Sequence, residues 1–373
     1  MYMNKVRKIL WVAVINVVIF ATMVGLLILI PISTGIGYDI ISSIIPGVNS
    51  DSRTDIQNYN DIEWAQQHFD DLAGVTLTYR DFVVWESKPY KSETVNIEQN
   101  GLRVGTNKVT TGMQEVWIFG GSTTFGVGSD DQNTLPSWLS LTSDVQVTNF
   151  GVIGYLARQS LNKLISSYED PVISTGHNRI VVFYDGVNDV LHKCRDDNAG
   201  LNTEREQQIR SSIGTDSLSP RVVLEPAIAI VGRIKNALDH RYMNSGYVCD
   251  KELDRADSIA QSLVNDWRSA DAVARRNGDR FIAILQPVAY LSNTRLDQLD
   301  VIYNDWDDLS AQYKEIYPAI RRYAREAGIE FYDLTGVFDR DEYIYIDFCH
   351  VSPNGNQLMA QAIADAIMLP PRK

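Results

Sequence analysis

The sequence predicts an α/β fold in which a doubly wound, flavodoxin-like sheet of five mostly parallel strands lies between two layers of helices. Short apolar runs without polar alternation are typical of strands buried on both faces, and amphipathic helical segments separate these runs. A repeated order of strand, helix and strand favours such a three-layer α/β/α architecture. A long uncharged run near the N-terminus predicts one transmembrane helix ahead of this fold.

The first 32 residues divide into a basic tail and an apolar run. Residues 1–8 include Lys5, Arg7 and Lys8, and residues 9–32 contain no charged side chain. As a helix, residues 9–32 would rise roughly 36 Å, more than the hydrocarbon thickness of a bilayer. A cleaved signal peptide, the alternative, has an apolar region of about 7–15 residues and a small-residue cleavage site. We therefore expect a single-pass anchor, a cytoplasmic N-terminus and a periplasmic or extracellular domain.

The remaining chain is predicted to form three parts. Residues 33–60 are polar and rich in glycine and serine, as in a linker, and residues 61–113 hold aromatic clusters without a clear period, which indicate an irregular N-terminal lobe. Residues 114–370 would form the α/β domain. Residues 192–253 break its alternation of strands and helices, so an insertion is expected there.

Five apolar runs are the strand candidates: 115–119, 145–150, 179–184, 280–285 and 329–334. Residues 254–277 show a helical period and are followed by Gly278, a residue that often ends helices. Four of their side chains share one apolar face: Ile259, Leu263, Trp267 and Ala270. The last helix is predicted to begin at Ser352 and Pro353, which are favoured at the N-cap and first turn. Its predicted core face comprises Leu358, Met359, Ala362, Ile363, Ala366 and Ile367.

The charge of the chain bears on its partners, and its cysteines bear on disulfides and metal sites. The net charge is −13, and since residues 1–8 carry three basic and no acidic side chains, residues 9–373 carry 31 − 47 = −16. Such acidity disfavours nucleic acid and anionic lipid, so contact with a bilayer is expected only through residues 9–32. Three cysteines allow one disulfide in an exported chain. Cys194 and Cys249 are the preferred pair because they bracket the insertion, and Cys194 with Cys349 is the alternative. No spacing of cysteine and histidine resembles a zinc site, and no metal or cofactor is expected.

Polar residues that could perform acyl transfer follow four of the five strand candidates. The motifs are "GGSTTFG", "NFGVIGY", "DGVND" and "DFCH". Ligands bind beyond the carboxyl ends of such strands, so these loops should meet. A nucleophilic Ser122 needs a base, which His350 could supply, and an orienting group, which Asp347 could supply. The backbone amides of Ser122 and Gly154 and the side-chain amide of Asn188 could donate hydrogen bonds to an oxyanion.

In this order, Ser122, Gly154, Asn188 and His350 resemble the four marker residues of the SGNH (GDSL-type) hydrolase superfamily, in motifs that read "FGGSTTFG", "NFGVIGY", "YDGVND" and "DFCHVSPNGNQLMA". The resemblance covers most of residues 114–367. It implies a Ser122 nucleophile, a His350 base oriented by Asp347, and an oxyanion hole from Ser122, Gly154 and Asn188. One position departs from the family pattern, because Gly121 replaces the aspartate of Gly-Asp-Ser.

The resemblance implies an esterase that forms an acyl-enzyme, with small acyl esters of carbohydrate as substrates. An O-acyltransferase acting on exported or cell-surface polysaccharide would use the same residues, and a lipid ester is a further possible substrate. A non-catalytic envelope protein that binds or assembles glycans is the alternative of another class. Gly121 favours that last alternative, whereas the complete set of Ser122, Asp347 and His350 favours an enzyme.

Other polar residues have weaker signals. Arg103, in "NGLRVG", could approach the site and hold a sugar hydroxyl or a carboxylate of the substrate, or could bond only a loop carbonyl. Four histidines lack a comparable motif and are expected at the surface: His68, His177, His192 and His240.

Overall fold

The computed structural model describes most of the chain after residue 50. The described residues are 51–106, 113–171, 173, 178–196, 198, 246–299 and 306–369, together with Asn16. The predicted cytoplasmic tail and the predicted anchor lie outside these ranges apart from Asn16. Within the described ranges, no helix is both long and apolar enough to cross a membrane.

The centre of the fold is a five-stranded sheet. Its strands, numbered from β5 because four short strands precede them, are β5 (Gln114–Gly120), β6 (Val145–Asn149), β7 (Ile180–Asp185), β8 (Arg280–Leu285) and β9 (Phe331–Asp333). Their order is β6-β5-β7-β8-β9, and every neighbouring pair is parallel. The prediction of a doubly wound five-stranded sheet is confirmed, and all four pairings are parallel rather than most of them.

Helices cover both faces of the sheet, as the three-layer prediction requires. Alternate strand residues enter two separate cores, so that Phe119 and Phe183 face one layer and Ile118 and Val182 the other. The first layer contains α4 (Ala157–Glu169), α5 (Val187–Lys193), α6 (Leu253–Arg276) and α7 (Trp306–Glu326). The second contains α3 (Leu135–Thr142) and α8 (Pro353–Ala366). A short helix, α2 (Ser122–Phe125), follows β5.

The two helices whose faces were predicted form as expected. All four predicted core residues of α6 are buried. Ser352 caps α8 by accepting a hydrogen bond from the Gly355 amide, which stabilises the first turn. The buried face of α8 includes Ala360 and Ala364, whereas the predicted Ala362 and Ala366 are only half-buried.

Residues 61–106 are more regular than the sequence indicated. They form α1 (Ala65–Ala73) and two antiparallel hairpins, the first from β1 (Leu77–Arg80) and β2 (Val84–Ser87), the second from β3 (Tyr90–Lys91) and β4 (Asn96–Ile97). We call residues 51–106 the N-terminal lobe.

Three small apolar clusters join the N-terminal lobe to the α/β domain. One packs lobe residues against Ile346, the second against Val152 and Tyr155, and the third against Phe125 and Val127. Each of these domain residues lies on a loop or turn that carries a predicted site residue. The lobe therefore packs on the edge of the domain where the sequence places the chemistry.

The predicted linker is wrong for its last ten residues. Two 3₁₀ turns, Ser52–Asp55 and Gln57–Tyr59, occupy this stretch, and Ile56 and Tyr59 are buried. Burial of these two side chains against the domain gives the segment a fixed position that its polar composition did not indicate. Residues 33–50 lie outside the described part of the chain.

The two ends of the predicted insertion lie together. Helix α5 ends at Lys193 and α6 begins at Leu253, and the insertion at 192–253 stays a prediction. A disulfide joins Cys194 to Cys249, the preferred pair, and Cys349 is a buried free thiol. The central residues, 199–245, lie outside the described ranges.

Candidate active site

The nucleophile candidate lies at the first turn after β5. Gly121 precedes α2, Ser122 is its first residue, and Gly126 ends it with a backbone φ of +101°. This left-handed conformation is one that glycine adopts without strain, so the chain can turn back directly after the helix. The Gly126 amide donates to the Ser122 carbonyl and closes the turn. Ser122 is thereby fixed at the carboxyl end of a central strand.

Ser122, His350 and Asp347 form a continuous hydrogen-bonded relay. The Ser122 Oγ–His350 Nε2 distance is 2.7 Å, and the His350 Nδ1–Asp347 Oδ2 distance is 2.6 Å. Since the Nδ1 hydrogen bonds to the carboxylate, Nε2 is left as the acceptor for the serine hydroxyl. The three predicted residues therefore have the geometry of an activated serine.

The loop that carries Asp347 and His350 is a small closed hairpin. Tyr345 and Val351 form an antiparallel bridge, and the Ile346 amide donates to the His350 carbonyl. Asp347 Oδ1 accepts from the backbone amides of Cys349 and His350. These bonds orient the carboxylate so that Oδ2 points at the imidazole.

Asp347 is held in its ionised form. Burial would raise the pKa of this carboxyl, but the charge and hydrogen bonds of His350, and then the charge of Arg53, outweigh burial and keep the pKa well below its usual range. An ionised Asp347 can stabilise the imidazolium that forms when His350 takes a proton.

The predicted oxyanion donors line the same cleft as the relay. This cleft has a volume of about 460 Å³, and its walls include Ser122, Gly154, Asn188 and His350. Gly154 has a φ of +81°, a conformation that suits glycine, and Trp85 of the lobe holds its loop by donating to the Ile153 carbonyl. The Asn188 amide donates one hydrogen to the Tyr155 carbonyl at 2.9 Å and has a second hydrogen for a ligand.

Gly121, the departure from the family pattern, makes room for Asn188. A Cβ atom at position 121 would lie 2.4 Å from Asn188 Nδ2 and 3.4 Å from the Tyr155 carbonyl oxygen. The first distance is shorter than real Cβ contacts, so any side chain would displace the amide. In this protein the absent side chain at 121 and the position of the Asn188 amide are therefore parts of one arrangement, and Gly121 does not argue against catalysis.

The rest of the cleft wall is mainly apolar. Six apolar side chains line it: Leu72, Trp85, Val127, Ile153, Leu191 and Phe348. A larger groove of about 810 Å³ lies along residues 89–104 but is lined by no residue of the relay. We assign the site to the smaller cleft because, of these two, only that cleft is lined by Ser122 and His350.

The substrate-binding role considered for Arg103 is wrong. Its side chain is fully buried and pairs with Asp131 at 2.9 Å. Its other donors bond four loop carbonyls: Thr94, Phe125, Gly126 and Ser129. Three of these carbonyls follow Ser122 closely. Arg103 therefore stabilises the turn that follows Ser122, and it does not line the cleft.

His68 and Arg53 are near the site but were not identified from the sequence. His68 was expected at the surface, yet it is fully buried and its Nε2 accepts a hydrogen bond from the Gly128 amide. Burial, with the nearby Arg103 and Arg53 charges, lowers the pKa of His68 to about 3, so the ring is neutral. The aromatic cluster "EWAQQHF" was the available signal for its burial. Arg53 was assigned to the linker, and no pattern around it indicates a site.

One group in the described ranges could be considered for a metal. The ligand atoms of Asp347, Cys349 and His350 lie within 4.8 Å of one another. Burial, and then the negative Asp347, raise the pKa of the Cys349 thiol well above its usual value, which disfavours the thiolate that a metal would need. Asp347 Oδ2 already accepts hydrogen bonds from His350 and Arg53. We therefore assign this loop to the relay.

No protein-family model and no curated relative matches the sequence. Some solved structures are similar. A lipolytic protein of the G-D-S-L family from Veillonella parvula is 14% identical with a TM-score of 0.40, and the alignment covers 68% of this chain and 98% of that one. A carbohydrate acetylesterase family member from Sinorhizobium meliloti is 15% identical with a TM-score of 0.36, covering 69% and 100%. A catalytic mutant of an acetylxylan esterase from Geobacillus stearothermophilus is 14% identical with a TM-score of 0.38, covering 70% and 97%. Likenesses this distant leave the function to the geometry of the site.

Proposed function

We propose that this chain is a serine esterase of the SGNH type that removes small acyl groups from carbohydrate esters outside the cytoplasm. The observation that carries the proposal is the relay from Ser122 Oγ to His350 Nε2, at 2.7 Å, and from His350 Nδ1 to Asp347 Oδ2, at 2.6 Å. A serine hydroxyl is a weak nucleophile unless such a base accepts its proton.

The reaction begins when Ser122 Oγ attacks the ester carbonyl while His350 Nε2 takes the hydroxyl proton. Negative charge develops on the carbonyl oxygen, where the amides of Ser122, Gly154 and Asn188 would donate hydrogen bonds. His350 then returns the proton to the departing alcohol, which leaves an acyl-enzyme on Ser122. Water gives a proton to His350 and attacks this intermediate; the bond to Ser122 Oγ then breaks, the acid is released, and His350 returns the proton to Ser122 Oγ.

An acyltransferase and a non-catalytic protein are the two alternatives to this esterase. An acyltransferase would use the same residues, with an acceptor hydroxyl replacing water in the second step. The non-catalytic alternative rested on Gly121, and the contact that a Cβ at this position would make with Asn188 removes that support.

Two features support a site outside the cytoplasm. The disulfide between Cys194 and Cys249 is of a kind that persists in oxidising compartments. The basic tail before residues 9–32 supports an anchor with its N-terminus inside. The assignment of small acyl groups and carbohydrate comes from the sequence resemblance alone.

The experiment is a turnover assay of the full chain in detergent with p-nitrophenyl acetate, p-nitrophenyl octanoate and an O-acetylated oligosaccharide. We expect turnover of both acetyl esters, loss in Ser122→Ala, and unchanged turnover in Ser269→Ala, which alters an exposed serine of α6. Faster turnover of the octanoate would replace the short acyl group with a lipid ester. Transfer of acetyl to an added oligosaccharide in preference to water would identify a transferase. Equal activity of wild type and Ser122→Ala would contradict the proposal.

A further inference from the structure

Arg53, from the segment that leads from the predicted anchor to the domain, contacts the relay directly. Its Nη1 lies 3.0 Å from Asp347 Oδ2, the same oxygen that accepts from His350 Nδ1. Asp347 Oδ1 accepts from two backbone amides, so the carboxylate has four donors in all. Three come from its own loop, and the guanidinium is the donor that comes from elsewhere in the chain.

Arg53 is itself held in place. Its Nε and Nη2 form a two-point contact with Asp51, at 2.9 Å and 2.7 Å, and its guanidinium lies over the Phe69 ring at 4.7 Å from the centroid. A planar guanidinium held along one edge by a carboxylate and over a ring by its face presents Nη1 in one direction, which a flexible ammonium would not do. The geometry suits orientation of a neighbouring group.

The surroundings of Arg53 favour a role in orienting Asp347 over a role in binding substrate. It lines the cleft, but its side chain is only 20% exposed, and the contacts described above engage Nε, Nη1 and Nη2. A substrate carboxylate at Arg53 would have to compete with Asp347 and Asp51. An uncharged acyl ester has no carboxylate for Arg53 to bind, so it would leave the contacts of Arg53 with Asp347 and Asp51 in place.

We propose that Arg53 is a positioning residue that fixes the Asp347 carboxylate for His350, so that residues 51–60 complete the active site. This inference rests on the proposed serine esterase function.

The experiment compares three changes at the contact with a matched control in the full chain in detergent. Arg53→Gln removes the positive charge, and Arg53→Lys keeps the charge without the planar guanidinium. Asp51→Asn weakens the two-point contact that holds Arg53. Arg295→Gln is the control, because Arg295 makes a similar two-point contact with Asp341 and lies over Tyr343 at 5.5 Å, away from the cleft. The readouts are kcat and KM for p-nitrophenyl acetate and the downfield proton NMR signal of His350 Nδ1–H.

We expect Arg53→Gln to lower kcat by roughly tenfold, since small misplacements of a catalytic group are costly, with KM within about twofold of wild type. Arg53→Lys should recover part of kcat, Asp51→Asn should lie between wild type and Arg53→Gln, and Arg295→Gln should match wild type. The Nδ1–H signal should shift or broaden in Arg53→Gln and stay in place in Arg295→Gln.

Three results would overturn the inference. Unchanged kcat and an unchanged Nδ1–H signal in folded Arg53→Gln would show that Asp347 does not depend on Arg53. A rise in KM at constant kcat would make Arg53 a substrate contact. Equal losses in Arg53→Gln and Arg295→Gln would make the effect general. If wild type has no turnover the proposed function fails, but the NMR comparison still tests the contact.

Discussion

The five-stranded sheet and the N-terminal lobe build the same cleft in different ways. The sheet positions the predicted site residues, because Ser122 follows β5, Gly154 follows β6 and Asn188 follows β7, all at the carboxyl edge. The lobe mainly supplies packing contacts and hydrogen bonds that hold these residues in place. Its apolar clusters reach Ile346, beside Asp347, and Val127, on the loop after the nucleophile turn.

The lobe also satisfies the backbone of the loop that follows Ser122. Arg103 bonds the carbonyls of Phe125, Gly126 and Ser129, while Tyr59 and His68 bond the carbonyl and the amide of Gly128. Buried loop carbonyls and amides need such partners, because water cannot reach them. The sheet therefore determines which residues meet, while the lobe determines how firmly they are held. Changes on the sheet side should therefore affect turnover, and most changes in the lobe should affect stability.

The largest effect is expected from removing the base on the sheet side. His350→Ala should lower kcat by about 10²–10⁴-fold, since positioned proton transfer contributes that much, with little change in the unfolding transition. The assay is p-nitrophenyl acetate turnover with thermal unfolding in parallel. His192→Ala, which alters another histidine of the same cleft, is the control and should retain kcat within tenfold. A smaller loss in His350→Ala than in His192→Ala would contradict the assignment.

Gly121→Ala tests whether position 121 tolerates a side chain beside Asn188. Gly121→Ala and Asn188→Ala should each lower kcat by about 10²–10³-fold, because both remove the same oxyanion donor from its position. The double variant should be little worse than either single one. Gly246→Ala is the control, since a Cβ there meets nothing within 4 Å. Near-normal turnover in Gly121→Ala, or multiplying losses in the double variant, would separate Gly121 from Asn188.

Arg103 tests the lobe as a source of stability. Arg103→Met should lower the free energy of unfolding by roughly 3–5 kcal/mol, because it removes the positive partner of Asp131 and leaves several buried carbonyls without that donor. Urea unfolding monitored by circular dichroism measures this loss. Arg295→Met, which breaks an exposed pair, should have little effect. Equal losses in the two variants would show that the buried contacts of Arg103 have no special weight.

His68 should give the smallest effect, a dependence of stability on pH. Its pKa in the folded protein is lowered to about 3, so the unfolded chain binds a proton that the folded one does not as pH falls below about 6.5. Stability is thus present above that pH and lost towards pH 3, at no more than about 1.4 kcal/mol per pH unit. Urea midpoints of wild type should fall more steeply between pH 6 and pH 4 than those of His68→Gln. Parallel curves would contradict a neutral buried imidazole.

The sheet and its reactive groups could be predicted from the sequence because both depend on local pattern. Residues 116–119 and 281–285 are apolar over consecutive positions, and the structure has strands at both. Parallel strands end at one edge, so Ser122, Asn188 and His350 were expected to meet before any distance was known. The interpretation of Gly121 as favouring a non-catalytic protein could not take its contact with Asn188 into account, because that contact joins residues far apart in the chain.

The N-terminal lobe could not be predicted in the same way. Arg103, His68 and Arg53 act through single long-range bonds to carbonyls, an amide and a carboxylate, and these leave no period in the sequence. The polar composition of residues 51–60 resembles a linker, although Ile56 and Tyr59 pack on the domain. Such contacts are visible only when the fold brings the two partners together.

Labelling with a fluorophosphonate tests whether Ser122 is an activated nucleophile. Intact mass of the full chain would be measured before and after labelling, for wild type and for Ser122→Ala. We predict one adduct on wild type and none on the variant. A well-folded wild type that gains no adduct, or a Ser122→Ala variant that gains the same adduct, would contradict the account.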